Sequence, residues 1–133
     1  MNIAAVALFD CTGRIILQLR DDSIGIENRG KIGLFGGAVH GEETAVFAAV
    51  RELYEELGIN ISPELLTPLF VADKVEDSGR TVSVHVFRLD FVETDRLILM
   101  EGCAIVLASP KAISASQQLT SFTRMAINWI IDN

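Results

Sequence analysis

Little in this sequence marks a special class of chain. Its only cysteines, Cys11 and Cys103, lie far apart and outside any Cys-x-x-Cys pair. A disulfide framework and a thiolate zinc site therefore lack support, and two buried free thiols are the expectation. Three prolines, no Pro- or Ser-rich tract and no internal repeat leave no sign of a linker between domains. No apolar run approaches the roughly 20 residues that cross a bilayer. The apolar N-terminal stretch lacks a basic start and meets Asp10 too early for a signal peptide, so a cytoplasmic protein without membrane contact is expected. Basic residues are outnumbered, 11 Lys and Arg against 18 Asp and Glu, for a net charge of -7. That is the wrong sign for holding a nucleic-acid polymer by its phosphates. A small anionic ligand would need a local device: a metal ion, a few aimed arginines or a helix N-terminus.

What is present is a core-forming chain. Half of the 133 residues are hydrophobic, and a chain of this length buries roughly two thirds of its unfolded surface, so one domain spanning 1–133 is expected. Ile3 to Phe9 and Arg14 to Leu19 are apolar runs around Asp10-Cys11-Thr12-Gly13, which reads as a hairpin. A polar loop, Asp21 to Gly30, precedes five glycines between Gly30 and Gly41, where the backbone must turn sharply or approach something closely. Thr44 caps a helix whose Val46, Val50, Leu53 and Leu57 form the predicted buried stripe, and Gly58 ends it. Leu65 to Val75 and Thr81 to Val92 read as strands joined by a second turn at Glu76 to Gly79. Along the later one, Thr81, Ser83, His85, Phe87 and Leu89 share one face and Val82, Val84 and Val86 the other. Glu93 to Glu101 reads as a loop with an optional short strand at Leu97 to Met100, Cys103 to Ala108 as a strand, and Leu119 to Ile130 as a closing helix. The pattern predicts an α/β domain, a mixed sheet with a helix packed on each face.

Glu52, Glu55 and Glu56 stand at i, i+3 and i+4, so on a helix they fall within one arc of about 100°. Like charges at these spacings repel, and either water or a cation must answer them. All-oxygen ligands select hard ions, Mg²⁺ or Mn²⁺. Ala45, Ala48 and Ala49 on the same arc would let a neighbouring backbone lie close, with the Gly36-Gly37 turn the natural candidate. Arg51 flanks the cluster, able to fix a carboxylate through its fork, and Glu43 lies within reach of that arginine. Taken alone, Glu-x-x-Glu-Glu is most often a solvated acidic face.

The wider spacing changes that balance. Gly37 to Ile59 reads GAVHGEETAVFAAVRELYEELGI, which fits Gly-x5-Glu-x7-Arg-Glu-U-x-Glu-Glu-x-Gly-U, with U a bulky aliphatic, at every constrained position. A chance match in a chain this long is on the order of one in 10⁷. The segment resembles the Nudix box, and the strand pairs and helix around it resemble the Nudix hydrolase domain over nearly the whole chain. The resemblance implies an α/β/α sandwich and Mg²⁺-dependent hydrolysis, with Mn²⁺ as a substitute, of a pyrophosphate bond in a nucleoside diphosphate linked to another group. By position, it implies Glu55 and Glu56 as main metal ligands, Glu52 as a further ligand or base, Arg51 and Glu43 as an orienting ion pair, and the Gly37 carbonyl, beside Gly36, as the loop's contribution.

Outside the box the family often places its general base in a loop before a late strand, which here matches Glu101-Gly102, with Glu93 and Asp95 as rivals. It often presents a phosphate-binding arginine where Arg20 ends the second strand, and Arg29 and Lys31 lie nearby. His40 reads as a loop histidine without a catalytic part and His85 as a half-buried strand histidine, with substrate contact the alternative for each. Many members carry Trp and Pro before the paired glycines and Glu-x-Gly-Glu after them; this chain has Ile32, Phe35 and His40-Gly41-Glu42-Glu43 in those places. The expected partner is a small nucleotide. A homodimer, the commonest assembly, is an open expectation. The alternative function is a non-catalytic Nudix-fold domain for nucleotide binding or regulation, against which the intact glutamates stand.

Overall fold

The computed structural model describes residues 1–26 and 28–133, so Glu27, inside the expected polar loop, lies outside the described residues. Strands β1 (Asn2–Asp10) and β2 (Ile15–Leu19) form the expected hairpin. Asp10 pins its turn: Oδ1 accepts from the Thr12 N–H, the Thr12 hydroxyl and the Arg14 N–H, and Oδ2 from Arg14 Nε at 2.7 Å. Burial pushes the Asp10 carboxyl up, but these hydrogen bonds outweigh it and hold the group well below the usual carboxylate range. Cys11 is exposed at the tip of this turn, and Cys103 is exposed too, its thiol donating to Asp21 Oδ1 at 2.8 Å. The thiols are free as expected but not buried, because each sits in a turn beside a strand end rather than on a core-facing position.

The glycine-rich stretch contributes two strands that the sequence pattern did not reveal, β3 (Ile32–Gly33) and β4 (Phe35–Ala38). They are too short and too rich in glycine to show a period of two. Helix α1 (Ala45–Leu57) follows, with the Thr44 hydroxyl accepting from the Phe47 N–H and Gly58 in the left-handed conformation at its end. After a 3₁₀ turn, β5 (Thr67–Val75) and β6 (Thr81–Val92) form the second hairpin. A second 3₁₀ turn, Thr94–Arg96, leads into an irregular segment in place of the optional strand at 97–100. Then come β7 (Ala104–Ala108), a one-turn helix α2 (Pro110–Ile113) that was not foreseen, and α3 (Ser121–Asp132), capped by Thr120.

One edge of β1 pairs with β6 in parallel along its length. The other edge pairs antiparallel with β4 through Ile3 to Val6 and with β2 through Leu8 and Phe9. β2 in turn pairs with β7 and, where it diverges from β1, with β3. The β3–β4 segment thus crosses from β2 to β1 and holds the paired glycines against the sheet centre.

Alternation along β1 sends Ala4, Val6 and Leu8 into the core beneath α1, with Phe35, Phe87 and Leu89. Ala7 and Phe9 pack with Ile15, Leu17 and Ile127 beneath α3, and Ala5 with Val82, Val84 and Val86. The result is the α/β/α sandwich the resemblance implied, and truncating a fully buried residue such as Leu53 would cost about 2–5 kcal/mol. The predicted α1 stripe is rotated. Ala48, Ala49, Leu53, Glu56 and Leu57 are buried, whereas Val46 and Val50 are half-buried. The cause is the small side chains of Ala48 and Ala49, which let the helix settle on the glycine backbone of β4 and draw Glu56 inward. No helix is long and apolar enough to cross a membrane among the described residues.

Candidate active site

The site is built where α1 lies against β4. Glu56 is only 2% exposed, yet it is a carboxylate, and its Oε1 accepts from the Gly36 N–H at 2.8 Å. A Cβ at Gly36 would collide with the Ala4 carbonyl on β1, so only glycine lets the loop lie this close. A Cβ at Gly37 would collide with the Glu52 carboxylate. The paired glycines are therefore the space in which two helix carboxylates meet the loop backbone.

Toward the start of α1 the charges are answered. Arg51 reaches Glu43 with two parallel hydrogen bonds, Nε to Oε2 at 2.8 Å and Nη2 to Oε1 at 2.9 Å. Nη2 also donates to the Ala38 carbonyl at 2.8 Å, and Nη1 to Glu52 Oε1 at 3.0 Å and Glu55 Oε2 at 3.2 Å. The Arg51 guanidinium and then the His40 N–H hold Glu43 down to about 2. Hydrogen bonding to Glu43, reinforced by Glu52 and Glu55, holds Arg51 above its ordinary range.

Deeper along the helix they are not. Burial, then the charges of Glu52 and Glu101, push Glu56 up to about 8 against the opposing Gly36 hydrogen bond, and Glu101 shares a side-chain hydrogen bond with it. Burial pushes Glu52 up as well; Arg51 opposes this, while Glu55 and Glu101 add to it. Glu101 reaches the cluster because the segment before β7 is tied to the end of α1: the Met100 N–H donates to the Glu56 carbonyl at 2.8 Å and the Ile98 N–H to the Leu57 carbonyl at 2.9 Å. Glu52, Glu56 and Glu101 are thus gathered, while Glu55 stands at the exposed rim.

Two clefts flank the cluster. One of about 420 Å³ is lined by Gln18, Arg20, Asp21, Ile26, Met100 and Glu101. The other, about 310 Å³, is lined by apolar Ile3, Ala5, Leu34, Val84 and Phe122, by Lys74 and the Arg80–Glu76 ion pair, and by the Gly36-Gly37 backbone. Arg20 lines both. Gln18, Lys74, Arg80 and Phe122 were not foreseen. Of these, Gln18 left a signal, as the lone polar residue in an apolar strand.

The other candidates stand apart. Glu93 pairs with Arg96 at 3.0 Å and lines a separate cleft with Gly58 and Phe91, and Asp95 lies exposed in the adjoining 3₁₀ turn. His85 is on the α1 face of β6, its Nε2 3.1 Å from Asn2 Oδ1, whereas the cleft takes Val84 from the opposite face. The exposed His40 contributes its backbone N–H to Glu43. Arg29 faces Asp22 at 3.8 Å, and Lys31 lines a third cleft beside Ser121.

Among the described residues no set of three or more His, Cys, Asp or Glu side chains is arranged around one point as ligands; Arg51 occupies Glu52 and Glu55. The donor chemistry nonetheless fits a hard divalent ion. Carboxylate oxygens and loop backbone converge, and Glu56 is raised first by burial and then by the neighbouring Glu52 and Glu101.

The chain matches the NUDIX domain family over residues 1–108. A MutT NUDIX hydrolase from Burkholderia pseudomallei is 26% identical, with 97% of this chain and 96% of that one covered and a TM-score of 0.80. The MutT protein of Methanosarcina mazei Go1 is 24% identical, covers 100% and 94%, and gives 0.81. The E. coli dihydroneopterin triphosphate pyrophosphohydrolase is 20% identical, covers 99% and 96%, and gives 0.79. These last two likenesses speak to the fold alone. No curated protein sequence matches the chain. The chain belongs to the Nudix family and is an enzyme of the pyrophosphohydrolase class, acting on phosphoanhydride bonds.

Proposed function

We propose that this enzyme is a divalent-metal-dependent pyrophosphohydrolase of small cytoplasmic nucleotides. Its substrate would be a nucleoside diphosphate linked to another group, a triphosphate or a nucleotide sugar. The observation that carries this reading is the buried Glu56 beside Glu52 and Glu101, three carboxylates at a glycine-lined loop with Arg51 spent mostly on Glu43 and the rim. Glu52, Glu55 and Glu56, with the Gly37 carbonyl, would hold Mg²⁺ or Mn²⁺. Bound there, the ion supplies charge neutralisation and Lewis-acid polarisation of the phosphoryl oxygens.

The chain's own residues do the rest. Arg51 and Glu43 fix the rotamers of the helix carboxylates. Arg20, between the two clefts, binds phosphate oxygens. Glu101, in the polar cleft, accepts the proton of the attacking water. The apolar lining around Phe122 takes the base, beside Lys74 and the Arg80–Glu76 ion pair.

The test is phosphate release from a panel of nucleoside triphosphates, nucleotide sugars, ADP-ribose and dinucleoside polyphosphates. Each is run with Mg²⁺, Mn²⁺ or chelator, and with or without alkaline phosphatase to separate pyrophosphate from monoester products. Chelator-sensitive turnover of one class is expected. Turnover that survives the chelator would overturn the metal assignment, and silence across the panel by folded protein would overturn the nucleotide assignment.

A further inference from the structure

Gln18 is 3% exposed on β2, the one polar side chain in Ile15-Ile16-Leu17-Gln18-Leu19. A buried amide destabilises unless both its ends are bonded. Here Nε2 donates to the Glu101 carbonyl at 3.1 Å, and Oε1 accepts from Arg20 Nη1 at 3.5 Å. Its two partners, the Glu101 backbone and the Arg20 guanidinium, belong to residues that line the polar cleft from different segments. The turn after Glu101 is moulded on this amide: Gly102 has φ +85, and a Cβ there would fall 2.8 Å from Gln18 Nε2 and 2.9 Å from the Leu19 carbonyl. The turn is held on both sides, by the Met100 N–H on the Glu56 carbonyl and the Cys103 N–H on the Leu19 carbonyl, each at 2.8 Å.

We propose that Gln18 is a positioning residue for hydrolysis: one end of its amide sets the peptide from which Glu101 reaches Glu56, and the other aims the Arg20 guanidinium across the same cleft. The inference rests on the roles given above to Glu101 and Arg20. It assigns to Gln18 the spacing between the proton acceptor and a phosphate-binding cation. An apolar side chain of equal size would fill the space and remove both of these bonds.

Two variants separate this role from packing. Gln18→Met keeps length and volume and removes both polar ends. Gln18→Glu keeps the acceptor toward Arg20 and sets an oxygen against the Glu101 carbonyl. The probe is whichever nucleotide of the panel above the wild type hydrolyses fastest with Mg²⁺. Gln18→Met is expected to lower kcat about tenfold and raise KM several-fold, whereas Gln18→Glu restores KM and leaves kcat low. In a Glu101→Gln background, Gln18→Met should lower kcat no further, because the two act as one unit.

In the amide NMR spectrum of metal-free protein, Gln18→Met should shift Glu101, Gly102 and Cys103 and leave the Asp10 to Arg14 turn in place. Wild-type kcat and KM in folded variants, full additivity in the double variant, or unmoved 101–103 resonances would each overturn the proposal. Glu56→Gln in the same assay tells the two readings apart. If it retains turnover, the hydrolytic site itself is misassigned. If it is inactive while the Gln18 variants behave as wild type, only the positioning role fails.

Discussion

Glu43 and Glu56 sit at opposite ends of one stretch of chain, and their surroundings drive them in opposite directions. Glu43 meets a bidentate arginine and a backbone N–H and is held down to about 2. Glu56 is buried with two more carboxylates and one N–H and is pushed up to about 8. The first region is electrostatically complete and serves as scaffold. The second has no cation of its own, so Glu56 keeps its proton near neutral pH and gives it up only when an external cation takes its place. Proximity in sequence therefore says little about role; the element packed against each carboxylate decides it.

The largest effect should come from removing the carboxyl at the end that lacks a cation. Glu56→Gln is expected to lower kcat by about a hundredfold or more while the apo protein stays folded, since the amide still accepts from the Gly36 N–H. It should also change the pH dependence of stability. With its ordinary value of 4.5 in the unfolded chain and about 8 in the folded one, Glu56 binds more protons when folded. Its contribution is present below about 4.5 and lost as pH rises through 8. Apo wild type should thus lose thermal stability over that window more steeply than Glu56→Gln, as scanning calorimetry would show. Glu43 has the opposite sign: its contribution holds above 4.5 and is lost as pH falls toward 2.

Arg51→Lys attacks the balanced end. It keeps the charge and loses the fork that serves Glu43, Glu52 and the Ala38 carbonyl together. A kcat lower by about tenfold, with a few degrees lost in Tm, is expected; wild-type kinetics would show that carboxylate orientation does not depend on the fork. Gly37→Ala should separate the two effects at smaller cost. The atoms nearest the added Cβ are the carboxylate end of Glu52, so activity should fall several-fold with little change in Tm. A large loss of Tm would mean that the glycine serves the backbone instead.

How much of this was legible depended on whether the information was local. The Thr44 and Gly58 caps and the two hairpins need only short spacings and are found, the second hairpin's first strand starting at Thr67; the i, i+3, i+4 glutamates lie on the helix, but only Glu52 and Glu56 turn inward. The wall of the apolar cleft combines Lys74 and Arg80 from one hairpin with Phe122 at the start of α3, and no spacing links them. β3 and β4 were hidden because strand identity there comes from pairing with β2 and β1, not from side-chain alternation. The burial of Glu56 was hidden because it follows from Ala48 and Ala49 letting α1 sink onto the glycines. The cysteines are exposed because each lies in a turn, between Asp10 and Thr12 or after Gly102, where the usual burial of a free thiol does not apply.

The central claim is that the Glu56 end of the helix is completed by a cation from outside. Calorimetric titration of Mn²⁺ into metal-free protein at pH 7, repeated in buffers of different ionisation enthalpy, tests it directly, because a carboxyl raised to about 8 must give up its proton to a metal. The account predicts binding with release of roughly one proton per protein in the wild type, and weakened binding without release in Glu56→Gln. Equal binding by both proteins with no proton released would contradict it.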